Sequence, residues 1–240
     1  MRKYLIFQLL LLFLISASAQ INIGTPGAIK PANFKKKDME LYQSLKTYFV
    51  IREMDKENQA AIEKILQQDW KFNKYEIIDF DRYKSMPEDG KAIFFGLRNY
   101  NNSSEYTSNS DLAGKYAQSS ELKIQLWRNL PKEKPQLLNE DVLGYIELGT
   151  HWRLSSELTK RISVDAFEYI CKTDTVVTEW QWGYLKNYIQ EFNRHLIANE
   201  PRWRFESDVD KDNISKLNTQ ILFVSSDIKN HYDSREKESP

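Results

Sequence analysis

Ile77-Ile78-Asp79-Phe80-Asp81 is an apolar run that empties into two carboxylates. Sites in parallel sheets gather where strands reach their C-terminal ends, so Asp79 and Asp81 are candidates for holding a ligand or partner. Both acids also suit structural work, Asp79 as the cap of a following helix and Asp81 as a surface acid. Glu179-Trp180-Gln181-Trp182 sets a carboxylate beside two indoles, a combination that can stack on a sugar ring and protonate a leaving group. A glycosidase would need a second carboxylate facing the first across about 5 to 10 Å. Trp180 and Trp182 also begin an amphipathic stretch, where an indole belongs in a core. Trp203 lies between Arg202 and Arg204 and offers an aromatic patch flanked by cations, or a packed ring under snorkelled side chains. Asp79, Asp81, Trp180, Trp182 and Trp203 are therefore the candidate ligand- or partner-binding residues, and no residue is assigned a catalytic role.

The strand followed by two acids looks like the first motif of haloacid-dehalogenase-type phosphatases, in which one acid is the nucleophile and both help to hold magnesium. Ile221 to Ser226 resembles that family's second motif, a strand ending in Ser. In that family a Lys and an acidic magnesium motif follow the Ser, and here the acidic motif has no counterpart, since Asp227 and Asp233 are the only acids before the final Glu-rich tail. Asp79 and Asp81 accordingly read as a helix cap and a surface acid. His151, His195 and His231 are far apart and form no short ligand pair, and zinc needs several ligands converging at about 2.0 to 2.3 Å. No metal and no cofactor are expected. His195 falls on the polar side of its helix near the C-terminal end, where a contact with the helix dipole accounts for it. There is no Gly-x-Ser-x-Gly elbow and no Gly-rich phosphate loop among eight glycines.

The start of the chain carries an address. Arg2 and Lys3 precede an apolar run from Tyr4 to Ile15, and Ala17-Ser18-Ala19 follows before Gln20. A basic start, an apolar middle and small residues at a cut site describe a secretory signal peptide. The run is shorter than the roughly 20 apolar residues of a spanning helix. Cleavage near Ala19 would place the mature protein in the periplasm or the medium, with no stable membrane span. The cut site lacks the Cys that a bacterial lipoprotein uses for lipid attachment. Cys171 is the one cysteine, so an intrachain disulfide is impossible; lying near Phe167, Tyr169 and Ile170, it reads as a small buried hydrophobe. The 34 basic and 34 acidic residues balance and are mixed along the chain, which argues against a nucleic-acid binder. Lys35-Lys36-Lys37 is the only run of three like charges and reads as a solvated linker.

The elements that must position these residues follow from periodicity. Gly24, Pro26, Gly27 and Pro31 suggest a flexible N-terminal linker over 20–38, with a single globular domain over 39–230 and a polar tail over 231–240, after the 1–19 leader. Tyr48 to Ile51 reads as a strand, and Asp55 can cap a helix in which Ala60, Ala61, Ile62, Ile65, Leu66 and Trp70 recur at helical spacing. Tyr75 to Ile78 and Ala92 to Leu97 are further strands, separated by a short helix that Pro87 stops. Asn99 to Ser120, rich in Asn and Ser, reads as a long polar loop with a helical turn around Leu112 to Tyr116. Leu122 to Trp127 alternates as a strand with one wet face, and Val142 to Leu148 is a strand weakened by Gly144. A helix covers part of Ser163 to Cys171. Trp182, Leu185, Tyr188, Ile189, Phe192, Leu196 and Ile197 form the clearest apolar stripe, and Ile221 to Val224 is a last strand. The pattern predicts an α/β or α+β fold, a mixed sheet opening with a β-α-β unit and covered by helices.

The leader, Thr47 to Ile51, the helix ending at Trp70, Tyr75 to Ile78 and Ile221 to Val224 together resemble uncharacterised exported proteins of Gram-negative bacteria. That resemblance implies an envelope location and supplies neither catalytic residues nor a substrate. A fainter similarity is to small α/β periplasmic modules that contact larger proteins during envelope assembly. The expected function is a non-catalytic exported protein that binds an envelope protein or a small ligand, its many Tyr and Trp being efficient contact residues. The competing expectation is an extracytoplasmic hydrolase with glycan as a substrate class, and a third is a structural surface component.

Overall fold

In the strand Lys46–Val50 (β2), Thr47 and Phe49 point to one side and Tyr48 and Val50 to the other, and apolar residues on both sides join a core. Such a strand belongs inside a sheet with both faces covered. A computed structural model describes residues 20–25, 30–105, 116–129, 140–148, 152–161, 163–174, 177 and 182–203, and these fall within the compact unit Ala19–Phe205. The strands are β1 (Gln20–Ile23), β2, β3 (Lys74–Ile78), β4 (Ala92–Glu105), β5 (Tyr116–Asn129) and β6 (Glu140–Leu148). They form one mixed sheet in the order β1-β6-β5-β4-β2-β3. β2 is parallel to both β3 and β4, and the remaining pairs are antiparallel.

The helices are α1 (Lys36–Ser44), a 3-10 helix (Glu53–Asn58), α2 (Gln59–Asp69), α3 (Phe80–Ser85), α4 (Trp152–Thr159), α5 (Ser163–Lys172) and α6 (Trp182–Ala198). The connection through α2 moves outward from β2 to β3, whereas that through α3 crosses back over β2 to β4. Two crossovers of one hand running in opposite directions must lie on opposite faces. The packing agrees: Ile62 and Leu66 of α2 join Phe49, Ile93 and Phe95, while Phe80 and Tyr83 of α3 join Val50, Phe94 and Trp127. α6 lies over the first face, with Leu185, Tyr188, Ile189, Phe192 and Leu196 buried and Phe192 edge-on to Phe95 at 5.5 Å. Phe167 and Cys171 of α5 complete the second cluster.

Several expectations change. Gln20–Ile23 is an edge strand rather than linker: Ile21 and Ile23 are buried, β1 pairs with β6, and Ile23 also bridges Arg202 through two 2.9 Å backbone bonds. Gly and Pro between short paired segments made this stretch look like a tether. The polar run from Asn99 is not all loop, because β4 continues to Glu105 and β5 begins at Tyr116, paired residue for residue. Backbone pairing in a hairpin does not require apolar side chains. The stretch 106–115, including most of the expected helical turn, lies outside the described residues, as do 1–19, 231–240 and the expected strand Ile221 to Val224. Asp55 does not cap α2. It is buried in the 3-10 helix, where its carboxylate accepts from Arg52 Nε at 2.9 Å and Nη2 at 3.2 Å.

Candidate functional site

An open cleft of about 290 Å³ lies at the C-terminal ends of β2 and β3, lined by Ile51, Lys56, Gln59, Glu76, Ile77, Ile78, Asp79 and Arg82. β3 ends at Ile78, and the chain turns at once into α3. Asp79 has extended backbone, and its Oδ1 accepts from Arg82 N at 2.9 Å, the geometry of an N-cap. Its other oxygen stands 3.2 Å from Lys56 Nζ, which also holds Glu53 at 2.9 Å. The hydrogen bond from Arg82 N, more than the Lys56 charge, holds the Asp79 carboxyl below its ordinary range. Glu76, on the same rim, is bonded to Lys46 at 3.1 Å. Each cleft carboxylate is thus engaged by a lysine. The Arg82 guanidinium and the Gln59 amide, both on exposed residues, have no side-chain partner among the described residues. Ile51, Ile77 and Ile78 supply apolar surface beside them.

Asp81 is two residues beyond Asp79 but engaged elsewhere: it is 72 % exposed and pairs with Lys172 of α5 at 2.8 Å. The two acids of the sequence motif are a cap and a surface ion pair. Trp180 lies outside the described residues, and Trp182 opens α6 with its side chain outside them. Trp203 is half-buried, directly after the residue that bridges β1. Asp79 is therefore the only sequence candidate whose position in the cleft is described. Lys56, Gln59 and Arg82 carried no sequence signal, because nothing local reveals that a 3-10 helix and a short helix converge on one strand end. Among the described residues no group of three or more His, Cys, Asp and Glu could hold a metal ion, and no helix is long and apolar enough to cross a membrane.

The direction in which the connections cross the sheet reverses between β2 and β4, the position where open α/β sheets receive ligands. Here side chains fill it. Arg52 and Asp55 form an ion pair that is almost wholly buried. The Arg98 guanidinium lies 4.8 Å from the Trp127 ring and 5.2 Å from Phe167, a cation-π arrangement. Cys171, 2 % exposed, sits in the field of these charges, and burial pushes its thiol up to about 12. That is a packed thiol, as expected, and not a nucleophile. Removing one member of a buried ion pair strands the other, so this cluster reads as architecture. On the antiparallel half, Lys123 stands between the rings of Tyr100 and Tyr145 at 4.4 and 4.5 Å and 3.5 Å from Glu147.

His195 differs from expectation. It is buried, and Ile197, placed in the apolar stripe, is 50 % exposed. A carbonyl can only accept and a guanidinium only donate. Nδ1–H therefore donates to the Glu200 carbonyl at 3.0 Å and Nε2 accepts from Arg194 at 2.8 Å, a neutral imidazole. Burial, then the neighbouring Arg194 charge, lowers its pKa from 6.5. Comparison with protein-family models, curated proteins and solved structures returns no match.

Proposed function

We propose that this chain is an exported, non-catalytic envelope protein that binds a partner protein or a small ligand, and that the cleft beyond β3 is where it does so. The observation that carries the reading is the division of labour in that cleft. Asp79 and Glu76 are neutralised by Lys56 and Lys46, while Arg82 and Gln59 have no side-chain partner among the described residues and stand beside Ile51, Ile77 and Ile78. A guanidinium and an amide over apolar surface recognise a carboxylate attached to an apolar body, such as a peptide end or an organic acid. They do not form the acid and base pair that hydrolysis requires. Export rests on the leader before Gln20.

The test has two parts. The full-length gene expressed in a Gram-negative host should give a chain beginning at Gln20 in the periplasm or medium; intact precursor in the cytoplasm removes the export reading. Envelope extract passed over immobilised protein should then yield a reproducible bound component that Arg82→Ala loses and Asp81→Asn retains. Equal capture by both variants moves the site away from the cleft.

A further inference from the structure

Among the described residues β3 is the terminal strand of the sheet, paired on one side only. The Ile78 carbonyl accepts from Ile51 N at 2.9 Å. In a parallel pair, alternate residues turn both backbone groups the same way, so Ile78, Glu76 and Lys74 face β2 while Tyr75 and Ile77 face outward. None of those four outward groups has a partner among the described residues. A bare strand edge of this kind is a template for another strand.

We infer that the β3 edge is a self-association surface on which a second copy of this chain adds its own β3, antiparallel, about a twofold axis through Tyr75. The occupant follows from charge and register. With outward-facing residues paired, an axis at Tyr75 sets Tyr75 against Tyr75 in a doubly hydrogen-bonded pair. It also puts Lys74 opposite Glu76 of the other copy, twice by symmetry. An axis at Glu76 would oppose two like carboxylates, and an axis at Ile77 would set Glu76 against Ile78. Only the first register pairs opposite charges. Glu76 already holds Lys46 across the sheet at 3.1 Å, so each carboxylate would sit between two ammonium groups, Lys46 of its own copy and Lys74 of the other. Lys74 is exposed and has no partner among the described residues. The side chain of Tyr75 is already oriented, since its hydroxyl donates to Glu63 at 2.9 Å and its ring meets Phe49 edge-on at 6.2 Å.

Sedimentation equilibrium of the exported chain over a wide range of concentration tests this. The wild-type protein should dimerise reversibly. Lys74→Glu, a change at an exposed side chain, should weaken the dimer about tenfold or more by opposing acids across the axis. The double variant Lys74→Glu/Glu76→Lys, which reverses both charges and restores complementarity, should recover much of the loss. Amide exchange at Tyr75 and Ile77 should slow as concentration rises. A wild-type chain that stays monomeric overturns the inference, as does a dimer indifferent to Lys74→Glu. A double variant no tighter than Lys74→Glu alone overturns the register. The Arg82 cleft is tested separately, by capture with Arg82→Ala, a change that leaves Lys74 and Glu76 of the β3 edge in place.

Discussion

Asp79 ends a strand, caps a helix and receives a lysine, and those contacts explain its depressed pKa without catalysis. Asp79→Ala should destabilise the protein by about 1 kcal/mol, the ordinary value of an N-cap, in a denaturant titration. His195 makes a pH prediction. Its folded-state pKa lies below 6.5, so at acid pH the unfolded chain binds a proton that the folded chain resists. Stability should therefore be intact above about pH 6.5 and decline as pH falls through that value toward the folded pKa. His195→Gln should flatten this part of the stability profile, and the His195 imidazole resonances of the native protein should titrate below 6.5. Cys171, with its thiol pushed up to about 12, should react with a thiol reagent only as fast as the protein opens.

The elements meet through a few close approaches. Gly144 faces Ile23 across the β1–β6 pair, and a Cβ there would stand 2.9 Å from Asn22 O and 2.9 Å from Phe192 Cε1. The glycine that weakened the strand signal is thus what lets β1 and α6 approach β6. Gly144→Ala should cost about 1 to 3 kcal/mol as thermal destabilisation. α6 ends with Asn199 in the left-handed region at φ 51°, and Glu200 N returns to His195 O at 3.0 Å. The Asn199 amide then mimics a backbone pair: its Oδ1 accepts from Phe34 N and its Nδ2 donates to Phe34 O, both at 3.0 Å. Asn199→Gly would relieve the backbone but lose this clasp. Asn199→Ala loses both, so unfolding should show alanine as the more damaging change. The stripe of α6 was legible as far as Phe192 and Leu196. His195 belongs to it by spacing, three residues beyond Phe192, and polarity alone misplaced it.

At the scale of the molecule, the strand that starts at the expected cut site is the notable feature. Ile23 is paired on both sides, by β6 and by Arg202, so the residues of β1 join the sheet edge to the end of α6. A variant with Gln20 to Ile23 deleted should lose stability markedly. It should also become sensitive to proteolysis near Pro201, read by limited digestion. A linker in the same place would have been dispensable. The edge at the other end of the sheet, β3, has no such cover among the described residues.

Local period and local chemistry are written along the chain, and they were enough to read the β-α-β opening, the α6 stripe and the mixed α/β class. Asp79 as a cap could be foreseen for the same reason, since a cap contacts residues three positions away. What needed the tertiary structure were the relations between distant residues: β1 against β6, Asn199 against Phe34, Arg98 over Trp127 and Phe167, and Arg82 left without a counter-charge among the described residues. Whether a polar group is buried, neutralised or available is decided by neighbours that sequence spacing does not bring together, and so the cleft appeared only once the strand ends were set side by side.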